Sequence, residues 1–346
     1  MRVCIGSSLT AGPSRRPLDV DPNAVWYGRH PVSLALLPLS WLYCGVAMLR
    51  RYLYRSGRLE MRRLPCPVVV VGNLTVGGAG KTPLVLRLAE LAVERGLRPA
   101  ILTRGYRGRG QEWPRTVSPG DDPDLVGDEP LLLARRGVCP VIAGPDRVAD
   151  AQVAIASHGC DLILCDDGLQ HYRLARDLEV AVIDGERGLG NGRCLPAGPL
   201  REPASRLATV DVVIHNGGSG AGHRFNLVPG PVVNLLNPTR TRPLSDFSGQ
   251  RVTAVAGIGN PVRFFDLLRA HGILVEEWPY PDHHPYSAAD VAAWPPGPVL
   301  MTEKDAVKCA KFRGADHWYF PVRARPDPAF VSTLFARLDS LPNPKV

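Results

Sequence analysis

Residues 66–82 read CPVVVVGNLTVGGAGKT, and no other stretch limits the possible folds as severely. Val68 to Val71 form an unbroken β-branched run, the pattern of a strand buried on both faces of a sheet. A glycine-rich turn follows, Gly77-Gly78-Ala79-Gly80, and then Lys81 and Thr82. From Pro83 to Arg95 apolar residues fall at helical spacing (Leu84, Leu88, Leu91, Ala92), and Gly96 suits the C-terminal cap. Strand, glycine loop, Lys-Thr and helix in that order make a P-loop. The glycines let successive backbone N–H groups point at phosphate oxygens, at the positive end of a helix. Lys81 is expected to neutralise β/γ-phosphate charge, and the Thr82 hydroxyl to ligate Mg²⁺. Thr75 opens the loop where the strict spacing has a glycine.

A P-loop needs acidic side chains for its metal. Residues 161–167, DLILCDD, supply an apolar strand ending in Asp166-Asp167, as a Walker-B strand does at the C-terminal edge of a parallel sheet. Many such strands end in an Asp that only caps a helix, so the strand alone decides little. Gln170 and His171 follow at once, an unusual polar cluster for a mere connection. Three other stretches are too particular for simple loops: TRGYR at 103–107, GDEP at 127–130, and GLGNGRCLPAGPLREP at 188–203. They offer Arg104, Asp128, Arg201 and Glu202. By spacing alone Asp128 is equally a helix N-cap, Arg104 a surface ion pair and Glu202 a partner of Arg201.

Strand-like and helical runs alternate from residue 66 to about 215, which predicts a parallel sheet with helices on both faces. The pattern restarts near 247 with RVTAVAGIG, a helix from Pro261 to His271, and two further strands. The expected organisation is therefore α/β: a variable extension over 1–22, a membrane-associated helical segment over 23–60, and a P-loop domain over 61–225. A linker over 226–246 and a smaller C-terminal α/β domain over 247–346 complete it. Gly257-Ile258-Gly259 reads as a tight strand–helix turn.

Residues 31–49 carry no charge, and Arg50, Arg51 and Arg55 follow them. Pro31 and Pro38 argue against one straight spanning helix, and the run is at the lower limit of length for crossing a bilayer. Trp26, Tyr27, Trp41, Tyr43, Tyr52 and Tyr54 suit a headgroup layer, so an interfacial helix is expected, with a buried helix or a true span as alternatives. With 41 Lys and Arg against 33 Asp and Glu, the net charge of +8 fits an anionic partner without choosing one. No helix-turn-helix, RNP or cysteine–histidine finger points to nucleic acid. None of the eight cysteines makes a C-x-x-C or zinc spacing, which suits reduced cytosolic thiols.

Seven motifs in order carry a resemblance: TVGGAGKTP (75–83), TRGYR (103–107), GDEP (127–130), DDGLQH (166–171), GNGRCLPAGPLREP (190–203), DHHPY (282–286) and TEKDAVK (302–308). Over residues 30 to 335 the chain resembles the tetraacyldisaccharide 4′-kinases, the lipid A 4′-kinases of Gram-negative bacteria, whose own P-loop opens with Thr. The resemblance implies transfer of the γ-phosphoryl group of ATP to the 4′-hydroxyl of a tetraacylated glucosamine disaccharide 1-phosphate, giving lipid IV-A. It implies that Lys81, Thr82 and the loop from Thr75 hold nucleotide and Mg²⁺, and that Asp166, Asp167 and Glu202 lie at the metal. It makes Asp128 the base, assisted by a histidine of Asp282-His283-His284, for which His283 is the choice. Arg104, Arg147 and Arg201, with Gln170 and His171, would position substrate. A carboxylate beside polyphosphate is repelled, and a nearby imidazolium would keep it ionised. Such an enzyme would act as a monomer on the cytoplasmic face of the inner membrane, its cleft closing over ATP between the two domains. A P-loop GTPase or metal-insertion chaperone is the rival, though no N-K-x-D motif or histidine-rich tract is present.

Overall fold

A computed structural model describes residues 22–106, 108–219, 221–312 and 314–341. Of the expected extension over 1–22, residues 1–21 lie outside the described residues, as does Arg107 of the TRGYR motif. Among the described residues three helices come first: α1 (Pro22–Tyr27), α2 (Val32–Ala35) and α3 (Leu37–Arg55). The P-loop unit then brings β1 (Val68–Gly72), α4 (Lys81–Glu94), β2 (Pro99–Thr103), β3 (Arg115–Thr116), α5 (Pro123–Val126) and α6 (Asp128–Arg136). It continues with β4 (Val141–Ala143), α7 (Arg147–His158), β5 (Leu162–Asp166), β6 (Leu178–Asp184), β7 (Val212–Asn216) and β8 (His223–Pro229).

A second unit holds β9 (Val232–Asn234), β10 (Thr241–Arg242), β11 (Arg251–Ala256), α8 (Pro261–Ala270), β12 (Leu274–Pro279) and α9 (Ala288–Ala292). It closes with β13 (Val299–Thr302), α10 (Glu303–Cys309) and β14 (His317–Phe320), after which come β15 (Val322–Pro326) and α11 (Pro328–Asp339).

Among the described residues the strands make two sheets. Nine lie in the order β15-β8-β7-β6-β1-β5-β2-β4-β3, and six in the order β10-β9-β14-β13-β11-β12. β1 is central and parallel to both neighbours, Val71 opposite Asp166 on β5 and Gly72 opposite Ala181 on β6. Its four valines are buried because helices cover both faces: Leu84, Val85 and Leu88 of α4 on one, Val148 and Ala151 of α7 on the other. That double burial is why the run is β-branched without alternation. The smaller sheet closes over an aromatic core of Phe247, Phe264, Phe265, Trp318 and Phe320.

The expected division needs correction at both ends. Residues 226–246 are not a linker: β8 lies parallel to β7 in the large sheet, while β9 and β10 belong to the small one. Nor do residues 247–346 form one unit. β15 returns to the large sheet antiparallel to β8, and α11 buries Phe330, Leu334 and Phe335 in the core of the P-loop unit. The chain crosses between sheets twice at one place, where Gly230 N–H donates to Pro321 O at 2.7 Å. Hydropathy along a short strand says that it pairs, not with which sheet, so pairing between residues about a hundred positions apart is invisible to it.

Candidate active site

β1 delivers the chain to the loop through Asn73, and α4 begins at Lys81 with Gly80 as its N-cap. Gly80 has φ of +86°, and a Cβ there would meet the Asn216 side chain at 2.4 Å, so glycine is required twice over. Asn216, at the end of β7, donates from Nδ2 to Ala79 O at 3.0 Å and fixes the loop from the side. Lys81 Nζ donates to Asn73 Oδ1 at 2.9 Å and stands 3.5 Å from Asp167. Thr82 Oγ1 donates to Asp166 Oδ2 at 2.8 Å.

Because β1 and β5 are sheet neighbours, the P-loop and the acidic pair share one sheet edge. Asp166 is buried, and its Oδ1 has no hydrogen-bond partner. Burial, with Glu129 nearby, pushes its carboxyl up to about 7. Asp167 behaves oppositely: burial raises it, but Lys81 and Arg201 win and bring it down to about 2. Arg201 Nη1 reaches both Asp167 oxygens at 2.9 Å, and Asp167 takes φ of +54°, a strained value for a non-glycine residue. Among the described residues no three His, Cys, Asp or Glu side chains converge as a ligand cage. Mg²⁺ is held by one or two carboxylates together with substrate phosphates, and the orphan oxygen of Asp166 fits such an ion.

Facing this edge is a second group. Asp128 opens α6 behind Gly127, whose φ of +93° and closeness to Tyr106 O leave no room for a Cβ. Its carboxylate lies 3.1 and 3.0 Å from His283 Nδ1, and His283 has φ of +60°. Lys304, from the start of α10, places Nζ 3.0 Å from His283 Nε2, 3.1 Å from Glu129 and 3.2 Å from Asp282. Burial of Asp128 opposes ionisation, but His283 and Lys304 hold it below the usual carboxylate range. His284 turns away, to Asp290 at 3.3 Å. The Gly257–Gly259 turn runs beside the P-loop; a Cβ on Gly259 would stand 2.8 Å from Gly78 N.

The P-loop and its acidic pair border one cavity of about 980 Å³, and the second group meets it through Glu129, Asp282, His283 and Lys304, with Asp128 itself buried off the lining; Arg104, Gln170, His171, Arg201 and, from α3, Tyr43, Val46, Ala47 and Arg50 line it too. Beside His283 and Lys304 the second unit adds an apolar stretch of wall, with Phe264, Leu267 and Phe320. His171 is driven down to about 4 by burial and by Arg147, Arg104 and Arg50, so its imidazole is neutral at ordinary pH.

Three expected residues are engaged otherwise than the resemblance implies. Arg147 is 2% exposed and braces the fold from below, donating to Gly144 O, Asp150 and Asp166 O, so its guanidinium does not reach the cavity. Glu202 borders the cavity, but its oxygens are taken by Tyr172 OH and by Gln170 Nε2 at 3.1 Å rather than offered to a metal. Thr75 is buried, bonded to Asn73 Nδ2 and off the main cleft. Asn73, Asn216, Glu129 and Lys304 escaped sequence reasoning. Glu129 and Lys304 sit inside GDEP and TEKDAVK, so attention to charge within those motifs had them in reach.

The long loop read as functional anchors the front helices. Asn191 donates to Val25 O, Ser33 and Ala197 O; Ser33 and Ser40 hydroxyls bond Ala197 O and Cys194 O. α3 is thereby held at the cavity mouth while Leu39, Trp41, Leu42, Val46 and Leu49 remain exposed, Trp41 at 68%.

A glycine loop aimed at phosphate, opposite a carboxylate held on an imidazole, is what transfer of a phosphoryl group to a hydroxyl requires, and it makes the chain a P-loop kinase. Comparison with known proteins narrows the class. The chain belongs to the tetraacyldisaccharide-1-P 4′-kinase family, whose model matches residues 32–339. A tetraacyldisaccharide 4′-kinase of Alkalilimnicola ehrlichii is 55% identical over 327 residues, 92% of this chain and 98% of the relative. One from Pseudomonas aeruginosa is 51% identical over 322 residues, 92% and 97% of the two chains. A solved structure of LpxK from Aquifex aeolicus in complex with ATP matches with a TM-score of 0.72 and 28% identity, over 89% of this chain and 99% of that one. This family excludes the GTPase and chaperone readings.

Proposed function

We propose that the chain transfers the γ-phosphoryl group of ATP to the 4′-hydroxyl of a tetraacyl glucosamine disaccharide 1-phosphate, forming lipid IV-A. One observation carries the reading: a single cavity runs from the P-loop, past His283 and Lys304, to an exposed apolar helix. An acceptor with a polar sugar head and acyl chains needs a site of that shape, its head at the phosphates and its tails beyond the protein.

Backbone N–H groups of Gly77 to Gly80 and the Lys81 ammonium hold the β- and γ-phosphates. Thr82 and Asp166, with Asp167 nearby, would hold Mg²⁺, which when bound neutralises charge on the phosphate oxygens. Asp128 accepts the 4′-hydroxyl proton as the sugar oxygen bonds to phosphorus; the old P–O bond breaks and its electron pair leaves with ADP. Arg104 and Arg201 meet anionic oxygens, and neutral His171 and Gln170 contact the sugar. Alignment by these groups supplies most of the acceleration, since phosphoryl transfer asks the protein for little covalent chemistry.

The same reading puts α3 on the cytoplasmic leaflet of a Gram-negative inner membrane, with the protein working as a monomer. Among the described residues no helix is long and apolar enough to cross a membrane, so α3 lies along the interface in this proposal. Arg50 and Arg51 at its end suit anionic headgroups.

The test is label transfer. Protein, γ-labelled ATP, Mg²⁺ and the tetraacyl disaccharide 1-phosphate in micelles should give labelled lipid that requires the acceptor. Tight ATP binding without labelled lipid would overturn the acceptor assignment.

A further inference from the structure

An ammonium group has three donors and no acceptor. Lys304 Nζ lies 3.0 Å from His283 Nε2, so a hydrogen bond there requires that Nε2 carry no proton. The ring's proton then resides on Nδ1, where the Asp128 carboxylate accepts it from 3.0 Å. The other arrangement, a proton on Nε2, would point an N–H at an ammonium, and Asp282 at 3.7 Å is too distant to receive it. Lys304 itself stays charged. Burial opposes that charge, but Glu129, Asp128 and Asp282 outweigh burial and push the lysine up.

We infer that Lys304 is the positioning residue of the proton-accepting pair: it occupies His283 Nε2 as a donor, confines the ring's proton to Nδ1, and leaves Asp128 as the acceptor of the substrate's proton. The positive charge that keeps Asp128 ionised beside polyphosphate is therefore the lysine's, relayed through a neutral imidazole, and no imidazolium is needed. Without Lys304, Nε2 loses the donor that holds it bare, and the ring's proton is no longer confined to Nδ1. The groups facing the ring include Asp128 from α6, Asp282 beside it, Lys304 from α10 and the Tyr106 ring, 5.1 Å between centroids, with Glu129 on Lys304 and Lys308 acting on Asp128 from further off.

Lys304 also ties the two sheets, since α10 belongs to the small-sheet unit and α6 to the P-loop unit. A role as a tie alone predicts lost activity too, so the deciding readout is the ring. The inference rests on Asp128 being the base, and the experiment separates the two.

Full-length protein labelled with ¹⁵N-histidine is examined by long-range ¹H–¹⁵N spectra at pH 7, with His283→Asn identifying the resonances. The wild-type ring should show a bare Nε2 and a protonated Nδ1. Lys304→Met should gain a proton on Nε2, with kcat falling about 100-fold, the scale of proton-transfer assistance, and KM for ATP within about twofold. Lys304→Arg, also donor-only, should keep Nε2 bare and recover roughly a tenth of wild-type kcat or more. A wild-type ring protonated at Nε2 overturns the inference. So does Lys304→Met with full turnover, or with lost turnover and an unchanged ring. Should Lys304→Met fail to fold, the wild-type and Lys304→Arg spectra still decide. Failure of Asp128 as the base appears separately, as turnover retained in Asp128→Asn.

Discussion

The two sides of the cleft are built by different rules. The phosphate side comes from one sheet edge: β1 ends in the P-loop, its neighbour β5 ends in Asp166, and Thr82 joins the two. Sheet register alone brings these groups together. The proton side has no such scaffold. Asp128 and His283 are 155 positions apart, on different units, and only contact between α6 and the small-sheet unit makes them a pair. The first side exists as soon as the large sheet folds, whereas the second exists only while the two units hold each other. Substitutions on the two sides should therefore fail in distinguishable ways.

The largest expected effect is on the phosphate side. Lys81→Ala removes the cation bridging Asn73 and Asp167 and should lower kcat roughly 10³-fold, the scale of one transition-state donor, while weakening ATP binding as well. Asp128→Asn should cost about 10²-fold in kcat with ATP affinity unchanged in titration calorimetry. Equal loss of ATP affinity in both would erase the distinction between the sides. The acceptor end comes next. Trp41→Asp with Leu42→Asp should raise the apparent KM for the acylated acceptor about 10-fold and abolish sedimentation with anionic vesicles, leaving ATP affinity alone. Vesicle binding that survives the double substitution would detach α3 from the membrane.

Asn216 tests the join between the sides. Its Nδ2 holds Ala79 O and its Oδ1 accepts from Arg263 Nη2 of α8 at 3.0 Å, so one buried amide touches both the P-loop and the small-sheet unit. Asn216→Ala leaves a loop carbonyl and a guanidinium without their partner, and ATP affinity should fall about fivefold, near 1 kcal/mol. Affinity unchanged by that substitution would mean that the loop keeps its shape unaided.

The same contrast explains what was legible beforehand. The buried β-branched run, the glycines and Lys81-Thr82 are contiguous, and their chemistry is readable because strand, loop and helix are local events. Asp166 and Asp167 follow from the rule that parallel strands present their ends on one side. Asp128 and His283 carried no such local sign; by spacing Asp128 was equally a cap, and only the ordered motifs linked it to the histidine pair. The domain boundaries failed for the same reason, because β15 pairs with β8 through a register no local pattern encodes. Arg147 was misplaced because an arginine at a helix start beside a strand end looks alike whether it faces phosphate or, as here, braces Asp150 and the β5 backbone.

The smallest effect probes stability on the phosphate side. Asp166 is raised to about 7 by burial and by Glu129, so between about pH 4 and pH 7 the folded chain holds a proton that the unfolded chain has released. Its contribution is complete at low pH and is lost as pH rises through 7, where the carboxylate must be ionised in place without a cation. Asp150, also pushed up to about 7 by burial against the pull of Arg147, adds a slope of the same sign. Asp166→Asn keeps the acceptor for Thr82 and puts an uncharged amide at the unpartnered oxygen. Melted without nucleotide or Mg²⁺, the variant should exceed the wild type by roughly 3 °C at pH 8, and the gap should close toward pH 5, where the wild-type carboxyl is already neutral. The slope from Asp150 persists in both. A variant that melts at or below the wild type at pH 8 would mean that Asp166 is ionised at no expense in the empty fold. The predicted gain says the reverse: the sheet edge is held less stable than it need be, because the same buried oxygen that destabilises the folded chain is the one left facing the phosphates.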